Sequence, residues 1–224
     1  MLYILDTADL NAIRHCVEYY PLAGVTTNPS IIAKEKADFW KLTEEIRQII
    51  GPERMLHVQT TQKEAEKIVR EAVLLKERLK GDFYVKIPVC EEGLKAAMEL
   101  KKQGIGVTAT AVFTPGQALM AAMAGADFVA PYVNRLDQIQ GDGCAVVAEI
   151  LRQLAVYGSE CKVLAASFKN AQQVNRCAGV GCHSVTVTEE ILKALLSHPM
   201  TDAAVSGFDK DWKAAYGEQT ILDF

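Results

Sequence analysis

Two spacings of apolar positions alternate from one end of the chain to the other. Short runs rich in β-branched and aromatic residues read as strands: "LYILD" (2–6), "GVTTN" (24–28), "MLHVQTT" (55–61), "FYVKIPV" (83–89), "GVTATAV" (106–112), "DFVAPYV" (127–133), "KVLAASF" (162–168) and "SVTVT" (184–188). Longer stretches between them carry apolar residues at helical spacing. The segment 62–80 is the clearest, with Ala65, Ile68, Val69, Ala72, Leu75 and Leu79 falling on one face. Glycines in "LKGDF", "KQGIG", "MAGAD" and "CAGVGC" stand where a helix end hands over to the next strand.

Eight such units predict an α/β fold built on a parallel sheet, because the strands are apolar on both faces and so must be covered on both. A single (β/α)8 TIM barrel over residues 1–224 is the simplest closure. A doubly wound open sheet could use similar strands, but no G-x-G-x-x-G follows the first of them. Beyond the eighth unit, 199–217 predicts an additional C-terminal helix. Its Trp212 and Tyr216 are placed to pack on a neighbouring subunit.

Composition narrows the function classes. The net charge of -4 arises from helix faces of mixed sign, which predicts no nucleic-acid partner and no membrane surface. No uncharged stretch approaches a membrane span and no signal peptide opens the chain, so a cytoplasmic protein is expected. The six cysteines form no CxxC pair and read as reduced thiols. Cys177, Cys182 and His183 cluster in "CAGVGCH", but zinc would want a second ligand pair, so no metal is expected.

One residue breaks the apolar logic. Lys86 sits inside "FYVKIPVC", and burying an ammonium costs several kcal/mol unless it is paired or loses its proton. Two uses remain for it: a permanent ion pair, with Asp6 the obvious partner, or covalent catalysis by an amine whose pKa is lowered by desolvation. Other polar residues fall near the C-terminal ends of the strands, where barrel chemistry collects: Asp6, Thr26, Asn28, Gln59, Thr110, Tyr132, Asn134 and Ser167. Each alone has a plainer role. Asp6 or Asn28 could cap a helix, and Ser167 could make an ordinary buried hydrogen bond. Their convergence on one mouth favours catalysis, and a Schiff base to a ketone would make or break a carbon–carbon bond.

Across nearly its whole length the chain resembles the fructose-6-phosphate aldolase and small transaldolase-like family. "LYILDTAD", "PLAGVTTNPSIIA", "YVKIPV", "TATAVFTPGQAL", "AGADFVAPYVNRLD", "KVLAASFKN" and "DKDWKAAYG" follow it in order and spacing. The resemblance implies Lys86 as the Schiff-base lysine, no metal or organic cofactor, and sugar phosphate and hydroxyketone substrates. It also implies a homodecamer or homopentamer.

By position, the resemblance makes Asp6 an orienting and proton-moving group and gives Asn28 the donor's hydroxyls. Thr26 shapes the mouth, and Asn134 lies in the same binding region. Arg135 with Ser167 would receive a phosphate, and Lys169 could add charge or be a solvated loop lysine. The family joins aldolases, which carry glutamine and tyrosine at the positions of Gln59 and Tyr132, and transaldolases, which carry glutamate and phenylalanine. This chain has the aldolase pair, with Thr110 completing a water site. "HVQTTQKEAE" contains one residue more than the family spacing, placed downstream of Gln59.

Overall fold

The computed structural model describes residues 1–224. The chain runs β1 Leu2–Asp6, α1 Leu10–Tyr19, β2 Leu22–Thr26, α2 Pro29–Glu35, α3 Phe39–Ile50, β3 Met55–Gln59, α4 Ala65–Leu79, β4 Phe83–Pro88, α5 Glu91–Lys102, β5 Gly106–Val112 and α6 Pro115–Met123. It continues with β6 Phe128–Pro131, α7 Val133–Asp137, α8 Gly143–Val156, β7 Lys162–Ala165, α9 Ala171–Gly179, β8 Ser184–Val187, α10 Glu189–Leu196 and α11 Pro199–Tyr216. The strands pair in parallel with their sequence neighbours, and β8 pairs with β1, so the sheet closes as a barrel. No helix is long and apolar enough to cross a membrane.

Strand pleat sorts the apolar residues into two separate cores. Leu5, Val25, Leu56, Val85, Ile87, Val107, Val129, Val163 and Val185 point outward and join the inner helix faces in one large cluster. In α4, Ala65, Ile68, Ala72, Leu75 and Leu79 are buried there as their spacing requires. Burial of a single Ile or Leu side chain is worth about 1.5–3 kcal/mol, so Leu75→Ala would loosen this face. A second, smaller cluster of Ile4, Met55, Phe128 and Leu164, with Tyr84 against it, fills the barrel interior. Two or four residues further along the same inward rows stand Asp6, Gln59, Lys86 and Tyr132. The interior thus changes from apolar to polar toward the C-terminal ends of the strands.

Several strands stop before their sequence patterns do, and each ends for a local reason. β2 begins at Leu22 and stops at Thr26 because Asn28 and Pro29 start α2. Asn28 is the helix cap, its Oδ1 accepting from the N–H of Ile31 at 3.0 Å. β3 stops at Gln59, since Thr60 and Thr61 turn to donate to Glu71 of α4. β6 ends at Pro131, which places Tyr132 in an isolated bridge with Ala166 and Asn134 in α7 rather than on the strand. Ser167, expected on the seventh strand, lies beyond Ala165 with φ 62°. Gly93 is required where it stands: a Cβ there would lie 2.2 Å from the Pro88 carbonyl, so only glycine lets α5 start against the end of β4.

α11 stands apart. None of its 18 residues is buried, and Met200, Phe208, Trp212 and Tyr216 are exposed along it.

Candidate active site

Lys86 is 4 % exposed and sits in the barrel interior, its Cα paired with Gln59 on one side and Thr108 on the other. Burial lowers its pKa from 10.5, and the charge of Asp6 partly opposes that shift. The amine forms no ion pair. Its Nζ donates to the carbonyl of Thr27 at 3.0 Å, and Asp6 acts on it only as a nearby charge. The permanent Lys86–Asp6 bridge that the sequence left open is absent from this arrangement.

Asp6 is engaged elsewhere. The hydroxyl of Thr26 donates to Asp6 Oδ1 at 2.6 Å, and Thr26 Oγ1 lies 2.6 Å from Thr186 Oγ1. The helix cap that Asp6 could have supplied is made by Asp9, which accepts from Asn11 and Ala12. On the opposite wall, Tyr132 Oη and Thr110 Oγ1 are 3.2 Å apart. The residue after Thr110, Ala111, takes φ 56°, and the β5–β6 register shifts there. A left-handed alanine costs about 1–2 kcal/mol, as does Ser167 at the far side of the mouth. Both unfavourable backbone conformations therefore lie beside candidate site residues.

A cavity of about 740 Å³ opens at the C-terminal end of the barrel. Asp6, Asn28, Asn134, Arg135, Ser167 and Lys169 line it, as does Thr186. Lys86, Thr26, Gln59, Thr110 and Tyr132 do not border it, and Asp6 and Thr186 belong both to the open cavity and to the buried cluster. Three cations face the cavity, Lys34, Arg135 and Lys169, and none makes an ion pair. Five acidic side chains also line it, Asp6, Asp9, Glu35, Glu189 and Glu190, of which Glu189 is paired with Lys193 at 2.6 Å. Lys34, Arg135 and Lys169 are the groups of the lining that could meet an anion. Asn134 is held by Gln173, whose Nε2 donates to Asn134 Oδ1 at 3.3 Å and to Asp137 Oδ2 at 2.6 Å.

Four of these groups carried no assignment from sequence. Thr186, Gln173 and Glu71 read there as ordinary strand and helix residues. His57 shares the inward row with Gln59 and was equally visible as a polar residue in an apolar strand. It is fully buried, bonds through Nδ1 to Thr108 Oγ1 at 2.8 Å, and stacks on Tyr84 at 4.8 Å. Burial, with the charges of Lys86 and Arg47, pushes its imidazole down to about 3. As for metal-ligating side chains, His183 accepts from the Val163 N–H, while Cys177 and Cys182 are buried with their thiols pushed up. His15, Cys16 and Glu189 group within 4.8 Å of one another between α1 and α10, where Lys193 already supplies the positive charge.

A parallel barrel that gathers its polar interior and an open polar cavity at the C-terminal face belongs to the TIM-barrel enzymes. Among these it is of aldolase/transaldolase type: the chain belongs to the transaldolase/fructose-6-phosphate aldolase family, whose model matches residues 3–221. Solved structures of similar shape include a flavocytochrome b2 variant with benzoylformate, at 15% identity, covering 84% of this chain and 57% of that one with a TM-score of 0.62. A native KDPGal structure is similar at 18% identity over 96% of this chain and 94% of that one, with a TM-score of 0.57. At such identities the likeness is one of fold alone. This chain spans only about 57% of the length of the flavocytochrome chain.

Proposed function

We propose that this chain is a class I aldolase that reversibly cleaves fructose 6-phosphate to dihydroxyacetone and glyceraldehyde 3-phosphate through a Schiff base at Lys86. The observation that carries the reading is the setting of Lys86: a buried amine, disfavoured in its charged form and held by a backbone carbonyl instead of a carboxylate. Burial that disfavours the ammonium favours the free amine, the form that can attack a carbonyl. It adds to the C2 carbonyl of the sugar, and loss of water leaves an iminium. Removal of the C4 hydroxyl proton then breaks the C3–C4 bond. The electron pair moves into the iminium, giving an enamine of dihydroxyacetone and free glyceraldehyde 3-phosphate. Protonation of the enamine carbon and hydrolysis return the amine.

In this scheme Asp6 moves protons at the nitrogen and Tyr132 supplies the proton that ends the enamine. Gln59 and Thr110 hold the water. Asn28 and Asn134 bind hydroxyls, while Arg135, Ser167 and Lys169 bind the phosphate. Gln59 and Tyr132 favour release of the three-carbon unit over its transfer, since a phenol next to a water ends the enamine before an acceptor arrives. The test is product analysis with fructose 6-phosphate alone and then with erythrose 4-phosphate added. Free dihydroxyacetone without acceptor is the aldolase outcome. Transfer that waits for the acceptor would make the protein a transaldolase.

The same reading extends to assembly. The exposed aromatic residues of α11 support packing against a second copy of the chain, in a homopentamer or homodecamer. Truncation after Ser197 should lower the number of copies per particle measured by light scattering, and an unchanged number would remove α11 from the interface.

A further inference from the structure

Two hydroxyls meet beneath Asp6 from the strands on either side of it. Thr26 comes from β2, which pairs with β1 so that Asp6 faces Thr26, and Thr186 comes from β8, which pairs with β1 at Ile4. Both side chains are buried, at 0% and 2% exposure, and both oxygen contacts are 2.6 Å. A hydroxyl has one proton, and a carboxylate can only accept. Thr26 therefore spends its proton on Asp6, which fixes the direction of the next bond: Thr186 must donate to Thr26. The chain Thr186 O–H to Thr26 O–H to Asp6 Oδ1 occupies one carboxylate oxygen and leaves Oδ2 outside it.

We propose that Thr186 is a positioning residue for the reaction at Lys86: through Thr26 it sets the orientation of the Asp6 carboxylate, keeping the second oxygen for the proton that moves as the lysine amine adds to a ketone. The proposal rests on the aldolase reading above. Without Thr186 the Thr26 hydroxyl keeps a buried lone pair with no donor, and its own bond to Asp6 loses the reinforcement of the outer one. Linked hydrogen bonds reinforce one another in a buried setting, so losing the outer one weakens the inner one. Thr186 borders the cavity, but its hydroxyl is already committed to Thr26, so it acts on the rate of bond making and not on the holding of substrate.

The experiment measures how fast borohydride traps dihydroxyacetone on the protein, as a function of ketone concentration, in the wild type and in Thr186→Val, Thr186→Ala and Thr186→Ser. Thr186→Val keeps the shape and removes the hydroxyl, and Thr186→Ala removes it without risk of a clash. Both should slow trapping about tenfold, the order of one hydrogen bond, with the half-saturating ketone concentration unchanged. Thr186→Ser restores the hydroxyl without the methyl and should return the rate to within about twofold of wild type. Wild-type rates in Val or Ala, a serine variant as slow as valine, or a change in half-saturation alone would overturn the proposal. Absence of any wild-type adduct on Lys86 would instead remove the aldolase reading and the proposal with it. If one hydroxyl-free variant does not fold, the other decides.

Discussion

The two ends of the barrel treat arginine in opposite ways. At the N-terminal end, Arg47 of α3 donates to the carbonyls of Gly51, Arg54, Leu79 and Asp82, at 2.8–3.0 Å, and so ties together the segments entering β3 and β4. At the C-terminal end, Arg135 of α7 is exposed to the cavity with no ion pair and no hydrogen bond. One guanidinium donates four bonds that hold the fold, and the other donates none within the chain. The interior follows the same gradient, from Ile4, Met55, Phe128 and Leu164 below to Asp6, Gln59, Lys86 and Tyr132 above. On the aldolase reading proposed above, stability and chemistry lie at opposite ends of the barrel axis, and substitutions at the two ends should separate in the same way.

Short of removing Lys86 itself, the largest effect expected at the mouth is that of Tyr132→Phe. Loss of the proton donor should slow cleavage of fructose 6-phosphate by about 10²–10⁴-fold, leaving the melting temperature close to wild type. A variant that melts early with near-normal turnover would break the separation. The matching change at the other end is Arg47→Ala, which leaves four carbonyls without their donor. It should cost about 3 kcal/mol in urea unfolding while KM and kcat of the folded fraction stay unchanged. Arg135→Ala should raise KM for glyceraldehyde 3-phosphate in the synthetic direction by roughly 10–100-fold, with unphosphorylated aldehydes scarcely affected. An equal loss for both acceptors would place Arg135 in bond making instead.

The smallest effect lies midway along the axis, at His57. Its imidazole stays neutral in the native state down to about 3, whereas the unfolded chain takes up the proton near 6.5. Between those values the unfolded state binds more protons, so stability falls as pH is lowered through the window. By about pH 5.5 the loss should reach roughly 1 kcal/mol. His57→Leu should flatten that part of the urea midpoint profile. A slope as steep in the variant as in the wild type would show that other groups govern acid unfolding.

Most of the barrel was legible in sequence because strand and helix periods differ and glycines mark the exchanges. Lys86 was legible for the same reason, as a charge where the pattern allows none. The strand ends were less so. Thr60, Tyr132 and Ser167 continue their runs by composition, but Glu71, the start of α7 and a left-handed turn end the strands before them. Asn28 shows both of its readings at once, capping α2 through Oδ1 while facing the cavity. Thr186 was hidden because a threonine in "SVTVT" is an ordinary β-branched strand residue, and only closure of β8 onto β1 brings it to Thr26. Gln173 lies in a polar stretch of α9, and its contact with Asn134 depends on how α9 packs beside α7.

The central claim is that the buried lysine is the nucleophile, and one measurement addresses it directly. The protein is incubated with dihydroxyacetone and borohydride, digested, and the peptides are mapped by mass spectrometry. A reduced three-carbon adduct should appear on Lys86, and Lys86→Met should carry none and show no cleavage of fructose 6-phosphate. An adduct confined to another lysine, or turnover retained in Lys86→Met, would contradict the account.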